Sequence, residues 1–199
     1  ASHLDVLREK LKPLMIRREK KDVLTDLPDK RREVIYVDLP SDLHDIYYQT
    51  EAELVSALKE FKKWKKKQGL EIDTDDGDID RNKQRMVILA KLGYLRQIVG
   101  AAKATQSLET IQSFIDANKK LVVFGHHMSV LDLIENYLAT QKIKYVRIDG
   151  STKNDDRIPY VTAFQNDPEV KVFLGSITAA GLGITLTAAS DILFVERVW

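Results

Sequence analysis

The chain of 199 residues is short of several things, and each shortage closes off a class of chemistry. It has no cysteine, so disulfides, thiolate metal sites and cysteine nucleophiles are all excluded, and an intracellular setting is expected. It has almost no charge of either sign to spare: 31 Lys and Arg against 30 Asp and Glu give a formal net charge of +1, so any basic surface must come from local clustering. No apolar run approaches the roughly 20 residues that span a bilayer, and the N-terminus lacks the apolar core of a signal peptide. Only five prolines and two tryptophans are present. What remains is 44% hydrophobic residues, enough for one sizeable core with an appendage.

Residues 1–40 are basic and only locally patterned. Leu4, Leu7 and Leu11 have helical spacing up to Pro13, a second short helix is expected from Leu14 toward Leu27-Pro28, and Arg32 to Leu39 alternates like a strand. Ser41 is placed to cap a long helix, with Asp42 and Asp45 near the positive end of its dipole and an apolar stripe of Leu43, Ile46, Tyr47, Leu54, Leu58 and Phe61. That helix ends in a lysine block, Lys62 to Lys67, in which Lys62 and Lys66 stack one turn apart as a solvated helix end or a phosphate-facing ridge. The acidic stretch near 69–81 is expected to be a mobile loop; its glycine and its twelfth position fit no calcium loop. A further helix is expected through Ile88, Leu92, Leu95 and Val99, giving a helical region over 41–101.

From about residue 102 the pattern changes. A helix carrying Leu108, Ile111 and Ile115 is followed by near-continuous apolar runs, Leu121 to Phe124, Lys144 to Ile148, Val170 to Leu174 and Ile192 to Val195, separated by helical segments. Apolar strands alternating with helices predict an α/β fold, a parallel sheet covered on both faces. Ligands of such sheets collect at the carboxyl ends of the strands, where His126, Gly150 and Ser176 fall. The run Ser176 to Ala189 joins tiny side chains to hydroxyls, so main-chain N–H groups can approach a phosphate closely.

Several of these residues admit two readings. Gly181 and Gly183 serve close packing at a helix start or face a nucleotide; Ser176 and Thr178 cap the next helix or touch a polyanion backbone; Gly150-Ser151-Thr152 is a turn with Thr152 as cap or a phosphate contact. Adjacent His126 and His127 have no third ligand at metal spacing, so no metal site is expected, and His126 is left as a packing residue or a DNA contact.

Read together, these segments resemble the second RecA-like lobe of Swi/Snf-type helicase-like ATPases. The resemblance is carried by Tyr145-x-Arg147-Ile148-Asp149-Gly150-Ser151-Thr152 with a later Arg157, by Ser176 to Ala189, and by Leu14-Met15-Ile16-Arg17-Arg18 through Lys20-Lys21-Asp22-Val23 to Leu27-Pro28-x-Lys30. Thr178 and Ala180 stand where the family usually has arginine and its first glycine, and Phe124-Gly125-His126-His127 is similar to the Phe-Ala-His-His of the annealing-helicase branch.

The resemblance implies a linker and brace over 1–40, the helical region over 41–101 and the second lobe over 102–199. It implies DNA contacts at Gly150, Ser151, Thr152, Ser176 and Thr178 and an ATP-cleft wall at Gly181 and Gly183; the strand-end position of His126 and the one-turn stacking of Lys62 and Lys66 add these as candidate DNA contacts, and Arg17, Arg18, Lys20 and Lys21 are expected to brace one lobe against the other rather than grip DNA. The implied partners are double-stranded DNA and the first lobe of the same protein, with ATP and Mg²⁺ as cofactors of the full-length protein, and the chain is expected to be monomeric and intracellular, in the cytoplasm or nucleoid if prokaryotic and in the nucleus if eukaryotic. There is no Gly-x-x-x-x-Gly-Lys-Ser/Thr loop, no Asp-Glu-x-His box and no arginine motif after Trp199, so this chain by itself is expected not to hydrolyse ATP. A non-catalytic interaction module built on the long helix is the alternative; a Rossmann-like transferase lacks its Gly-x-Gly-x-x-Gly fingerprint.

Overall fold

A computed structural model describes residues 3–16, 29–67, 79–181 and 183–197. The chain divides into two compact units, residues 1–36 and 37–199. In the first, helix α1 (Leu4–Leu11) forms as the leucine spacing predicts, and none of its residues is buried. Residues 29–40 form no strand. The alternation over Arg32 to Leu39 is a pattern without a partner, Tyr36 being 91% exposed, and an unpaired ladder has nothing to hold it. The expected second helix falls largely on residues 17–28, outside the described residues, as do Arg17, Arg18, Lys20 and Lys21.

The second unit begins with two helices packed against each other, α2 (Ser41–Lys67) and α3 (Ile79–Asp116). The buried or half-buried positions of α2 are Leu43, Tyr47, Thr50, Leu54, Ala57, Phe61 and Trp64, a strict alternation of four- and three-residue steps. That is a coiled-coil seam, narrower than the stripe expected from apolar residues alone. Ile46 and Leu58 fall off it, at 40% and 37% exposure, while Thr50 is buried with its hydroxyl donating to Ile46 O at 2.7 Å. Across the pair, Lys91 bonds Glu53. Helix α3 is continuous where two helices were expected: Gly93 and Gly100 lie inside it, and the proposed boundary at 102 falls mid-helix. The acidic loop lies mostly over residues 68–78, outside the described residues, and α3 has begun by Ile79.

Strands β1 (Leu121–Gly125), β2 (Lys144–Ile148), β3 (Val170–Ser176) and β4 (Asp191–Phe194) form one sheet in the order β2-β3-β1-β4, every pair parallel. Helix α4 (Met128–Thr140) carries the chain from β1 to β2, α5 (Asn154–Asn166) from β2 to β3, and the single turn α6 (Ile177–Ala180) follows β3. Alternate strand residues face opposite layers. Leu121, Val123, Val172 and Leu174 pack with Ala104 and Ile111 of α3 and with Val130, Leu131, Ile134 and Leu138 of α4. Val122, Phe124, Val146, Ile148 and Phe173 pack on the other side with Phe164 of α5 and Ala180 of α6. This is the expected α/β architecture. β1 and β3, paired on both sides, are almost wholly buried, which is why they read as unbroken apolar runs.

Asn118 and Lys142, both at φ 55°, end α3 and α4. After each, an N–H reaches back to an earlier carbonyl, Lys119 to Phe114 O and Ile143 to Leu138 O, both at 2.9 Å, and the chain is turned directly into the next strand. Lys120 closes the end of α5 by donating to Phe164 O and, at 2.7 Å, to Asp167 O.

Candidate nucleic-acid and nucleotide interface

All four strands point the same way, so Gly125, Ile148, Ser176 and Phe194 end on one rim, and the loops that follow form a continuous edge. The loop after β2 is built around Asp149. Its carboxylate accepts from Ser151 N at 2.8 Å and Ser151 Oγ at 2.6 Å through one oxygen, and from Arg147 Nε at 2.7 Å through the other. Burial alone would push this carboxyl up; the Ser151 hydroxyl and N–H and the Arg147 guanidinium outweigh it and hold the carboxyl below its usual range. Arg147 is itself shared with Asp132 at 2.8 Å and with Glu135. The result is a fixed turn whose tip, Gly150 and Ser151, is exposed, with open space beside the Gly150 α-carbon.

Thr152 is not the cap of α5. Its hydroxyl accepts from Asp149 N at 3.0 Å, and Lys153 holds the cap position. The two polar side chains of the turn are therefore used differently: Thr152 braces it, Ser151 stands out from it.

The loop after β3 divides in the same way. Ser176 is only 4% exposed, and its hydroxyl pairs with Thr178 Oγ1 at 2.9 Å and makes no cap bond to the helix it precedes. Thr178 is exposed. Gly181 ends α6 in a right-handed conformation so tight that a β-carbon there would meet Ile177 O at 2.2 Å. Gly183 adopts φ +74° with nothing within 4 Å of its missing β-carbon, so the main chain itself is open to a ligand. Ser176 thus serves packing, whereas Thr178 and Gly183 face outward.

Arg157 joins the two loops. From α5 it donates through Nη1 to Ala179 O at 2.8 Å and through Nη2 to Asp149 O at 3.4 Å, so one side chain sets the spacing between the Gly150 turn and the small-residue loop. Sequence alone marked Arg157 only as part of a pattern.

At the end of β1, His126 and His127 lie edge to face, ring centroids 4.8 Å apart. His126 Nδ1 is buried without a partner among the described residues. The group that sequence reading missed is Glu196, just after β4, which accepts from His126 N and His127 N at 2.8 Å each and from the His127 ring at 2.6 Å. A carboxylate after an apolar strand looks like a surface residue; the adjoining histidines, one strand away in the sheet, were the available signal.

Lys62 and Lys66 are exposed on α2. They lie fifteen and nineteen residues beyond Tyr47, which borders a groove with Arg197 next to Glu196; that is about 22 to 28 Å along the helix. They form a surface separate from the rim.

Residues 1–103 match the SNF2-related domain and residues 103–199 the helicase conserved C-terminal domain. Human "DNA annealing helicase and endonuclease ZRANB3" is 36% identical over 200 residues, covering the whole of this chain and 17% of the human protein. The Caenorhabditis elegans homolog of "SWI/SNF-related matrix-associated actin-dependent regulator of chromatin subfamily A-like protein 1" is 37% identical over 186 residues, 93% of this chain and 24% of that protein. The chain therefore spans between a sixth and a quarter of the length of these relatives. Among solved structures, the "Sulfolobus solfataricus SWI2/SNF2 ATPase core in complex with dsDNA" superposes with a TM-score of 0.64 at 23% identity, over 98% of this chain and 41% of that one. The C-terminal domain of the same ATPase gives 0.64 at 23% identity, over 83% and 71%. These likenesses carry the fold, and with the domain matches they establish that the chain belongs to the SNF2-related family of helicase-like proteins.

Proposed function

We propose that the chain is the second motor lobe of an ATP-dependent translocase on double-stranded DNA, of the remodelling or strand-annealing type, acting in the nucleus or nucleoid. The whole protein is a DNA-dependent ATPase, and this part supplies grip on the DNA backbone and one wall of the nucleotide cleft. The observation that supports it most directly is the rim: two adjacent loops, each with a polar or glycine tip in solvent, held at fixed spacing by Arg157. Ser151, Thr178 and the open main chain at Gly150 are suited to phosphate oxygens, which are read without regard to sequence. Lys62 and Lys66 add a second, diffuse contact to the same polyanion. Residues 1–40, with Arg17, Arg18, Lys20 and Lys21, link and brace the two lobes, 41–101 form the helical region, and 102–199 the lobe proper.

Gly181 and Gly183 fit one side of a nucleotide. The first, exposed but with no room for a β-carbon beside Ile177 O, shapes the loop; the second leaves main chain exposed where a phosphate can lie against it. Bound between lobes, ATP supplies the free energy of phosphoryl transfer. ATP and Mg²⁺ are the cofactors of the whole protein.

The test is a titration of labelled duplex DNA with the 199-residue chain at about 50 and 200 mM salt, with ATP turnover measured in parallel. Weak binding that falls steeply with salt, without turnover, is expected. Mg²⁺-dependent turnover by this chain alone, indifferent to DNA, would contradict the assignment, as would binding that ignores salt.

A further inference from the structure

The two-helix arm carries a second pattern beside its seam. Opposite the inner residues of α2, α3 presents Gln84, Ile88, Lys91, Leu95, Ile98 and Ala102, spaced by the same four- and three-residue steps and all buried or half-buried. Lys91 bonds Glu53, and Tyr47 borders one groove with Leu92, Arg96 and Val99, so the two helices run antiparallel. In such a pair the residue after each seam position stands about 100° round from the contact, on the same side of both helices. On α2 these residues include Tyr48, Val55 and Leu58, 57%, 42% and 37% exposed. On α3 they include Leu89, 64% exposed, with Leu92 and Val99 half-buried. A second apolar stripe thus lies open to solvent beside the first. At the root of the arm it deepens into the groove, of about 230 Å³, that Glu196 and Arg197 also border.

Charge on this side is almost all of one sign. The same positions carry Lys62 on α2 and Arg85, Arg96 and Lys103 on α3, against Glu51 alone. Neither Arg85 nor Lys103 has an ion-pair partner among the described residues. Glu196, at the root, spends its oxygens on His126 and His127.

We infer that this side of the arm seats a third helix, an amphipathic segment of a partner protein with apolar residues at three- and four-residue steps and Asp or Glu flanking them. Two helices side by side leave a groove that the ridge of a third fills. From Arg85 to Lys103 the stripe runs about 27 Å, the length of a helix of about 18 residues, with a cation at either end and Arg197 beside the root. A duplex would set its phosphates against Val55, Leu58 and Leu89, which offer no hydrogen bond. A second copy of this chain, docked by the same side, would bring cation against cation. An acidic helix satisfies both the apolar stripe and the charge. This docking needs neither DNA nor ATP and stands apart from the motor reading above.

The experiment selects a phage-displayed library of 20-residue amphipathic helices, random in the charge of their polar positions, on the 199-residue chain at about 150 mM salt. The best peptide is then synthesised and titrated by calorimetry. The selected peptides should be net acidic, and the double variant Val55→Ala/Leu89→Ala should weaken binding at least about tenfold. Alanine favours the helix at both exposed positions, so the variant keeps its fold, which its urea midpoint checks. Tyr94→Ala, which removes an exposed apolar side chain from the other side of α3, should change nothing. Lys103→Glu should weaken the acidic peptide and admit its lysine-substituted counterpart. A selection that returns basic or uncharged peptides, or none, overturns the inference, as does a peptide that the double variant binds as well as the wild type does. A dimer in sedimentation that the double variant dissolves would give this side to a second copy, and a loss of duplex-DNA binding in that variant would give it to DNA; either result overturns the acidic helix.

Discussion

Two glycines on α3 should respond differently to the same substitution, one gaining stability and the other not. Both lie inside the helix, where glycine costs about 0.8–1.0 kcal/mol relative to alanine, so Gly→Ala begins with that much in its favour at each. At Gly93 nothing lies within 4 Å of the added β-carbon, and the full gain of about 1 kcal/mol should appear. At Gly100 the β-carbon would sit 2.6 Å from Glu196 Oε1 and 2.9 Å from Val130 Cγ2. The end of a glutamate can ordinarily swing aside at little cost. This one is held by three donors, and Val130 is fully buried in the core. Overpacking of this kind costs about 1–3 kcal/mol, so Gly100→Ala should come out between neutral and about 2 kcal/mol destabilising, and further down if the carboxylate is displaced. Urea unfolding of the wild type and both variants, followed by far-UV circular dichroism, reads the difference as a shift of midpoint at constant slope. If Gly100→Ala stabilises as much as Gly93→Ala, the clamp around Glu196 is loose and the reasoning fails.

Two further outcomes follow from the rim. Arg157→Ala takes from Ala179 O its side-chain donor, for about 1–3 kcal/mol, while Asp149 O keeps Thr152 N at 3.2 Å, and it should speed amide hydrogen exchange in residues 176–181 more than in β1; unchanged exchange there would mean that Arg157 does not set the loop spacing. Asp149 has a folded-state pKa below its unfolded one, so its contribution is present in full above about pH 4 and is lost as pH falls through the folded value. Asp149→Asn should therefore be less stable at pH 7 yet lose less on going to about pH 2.5; parallel curves for wild type and variant would refute the role given to this carboxylate.

The sheet was legible because its central strands are buried on both faces, and burial on both faces leaves only apolar residues to read, as in Leu121 to Phe124 and Val170 to Leu174. The strand ends were legible for a complementary reason: the buried apolar runs stop where glycine and hydroxyl residues begin, at Gly150 and Ser176. The seam of α2 was read too widely because hydrophobicity is a poor guide when Thr50 and Ala57 take inner positions and Ile46 and Leu58 outer ones. The break expected between residues 99 and 102 does not occur because Gly100 serves close approach to Glu196 and Val130, a packing reason invisible without the neighbour. Alternation over residues 32–39 misled because period two is necessary for a strand and not sufficient; a partner edge decides. Thr152 and Ser176 misled more subtly, since a hydroxyl at a helix start can turn its oxygen inward, to Asp149 N in one case and Thr178 in the other.

Because α3 runs unbroken from Ile79 to Asp116, its first half forms the seam with α2 and its second half lies under the sheet. A tilt of about 5° at its root near Gly100 would carry the tip, some 32 Å away at about 1.5 Å per residue, through about 3 Å. Any such tilt would therefore reach the seam with α2 from the layer under the sheet.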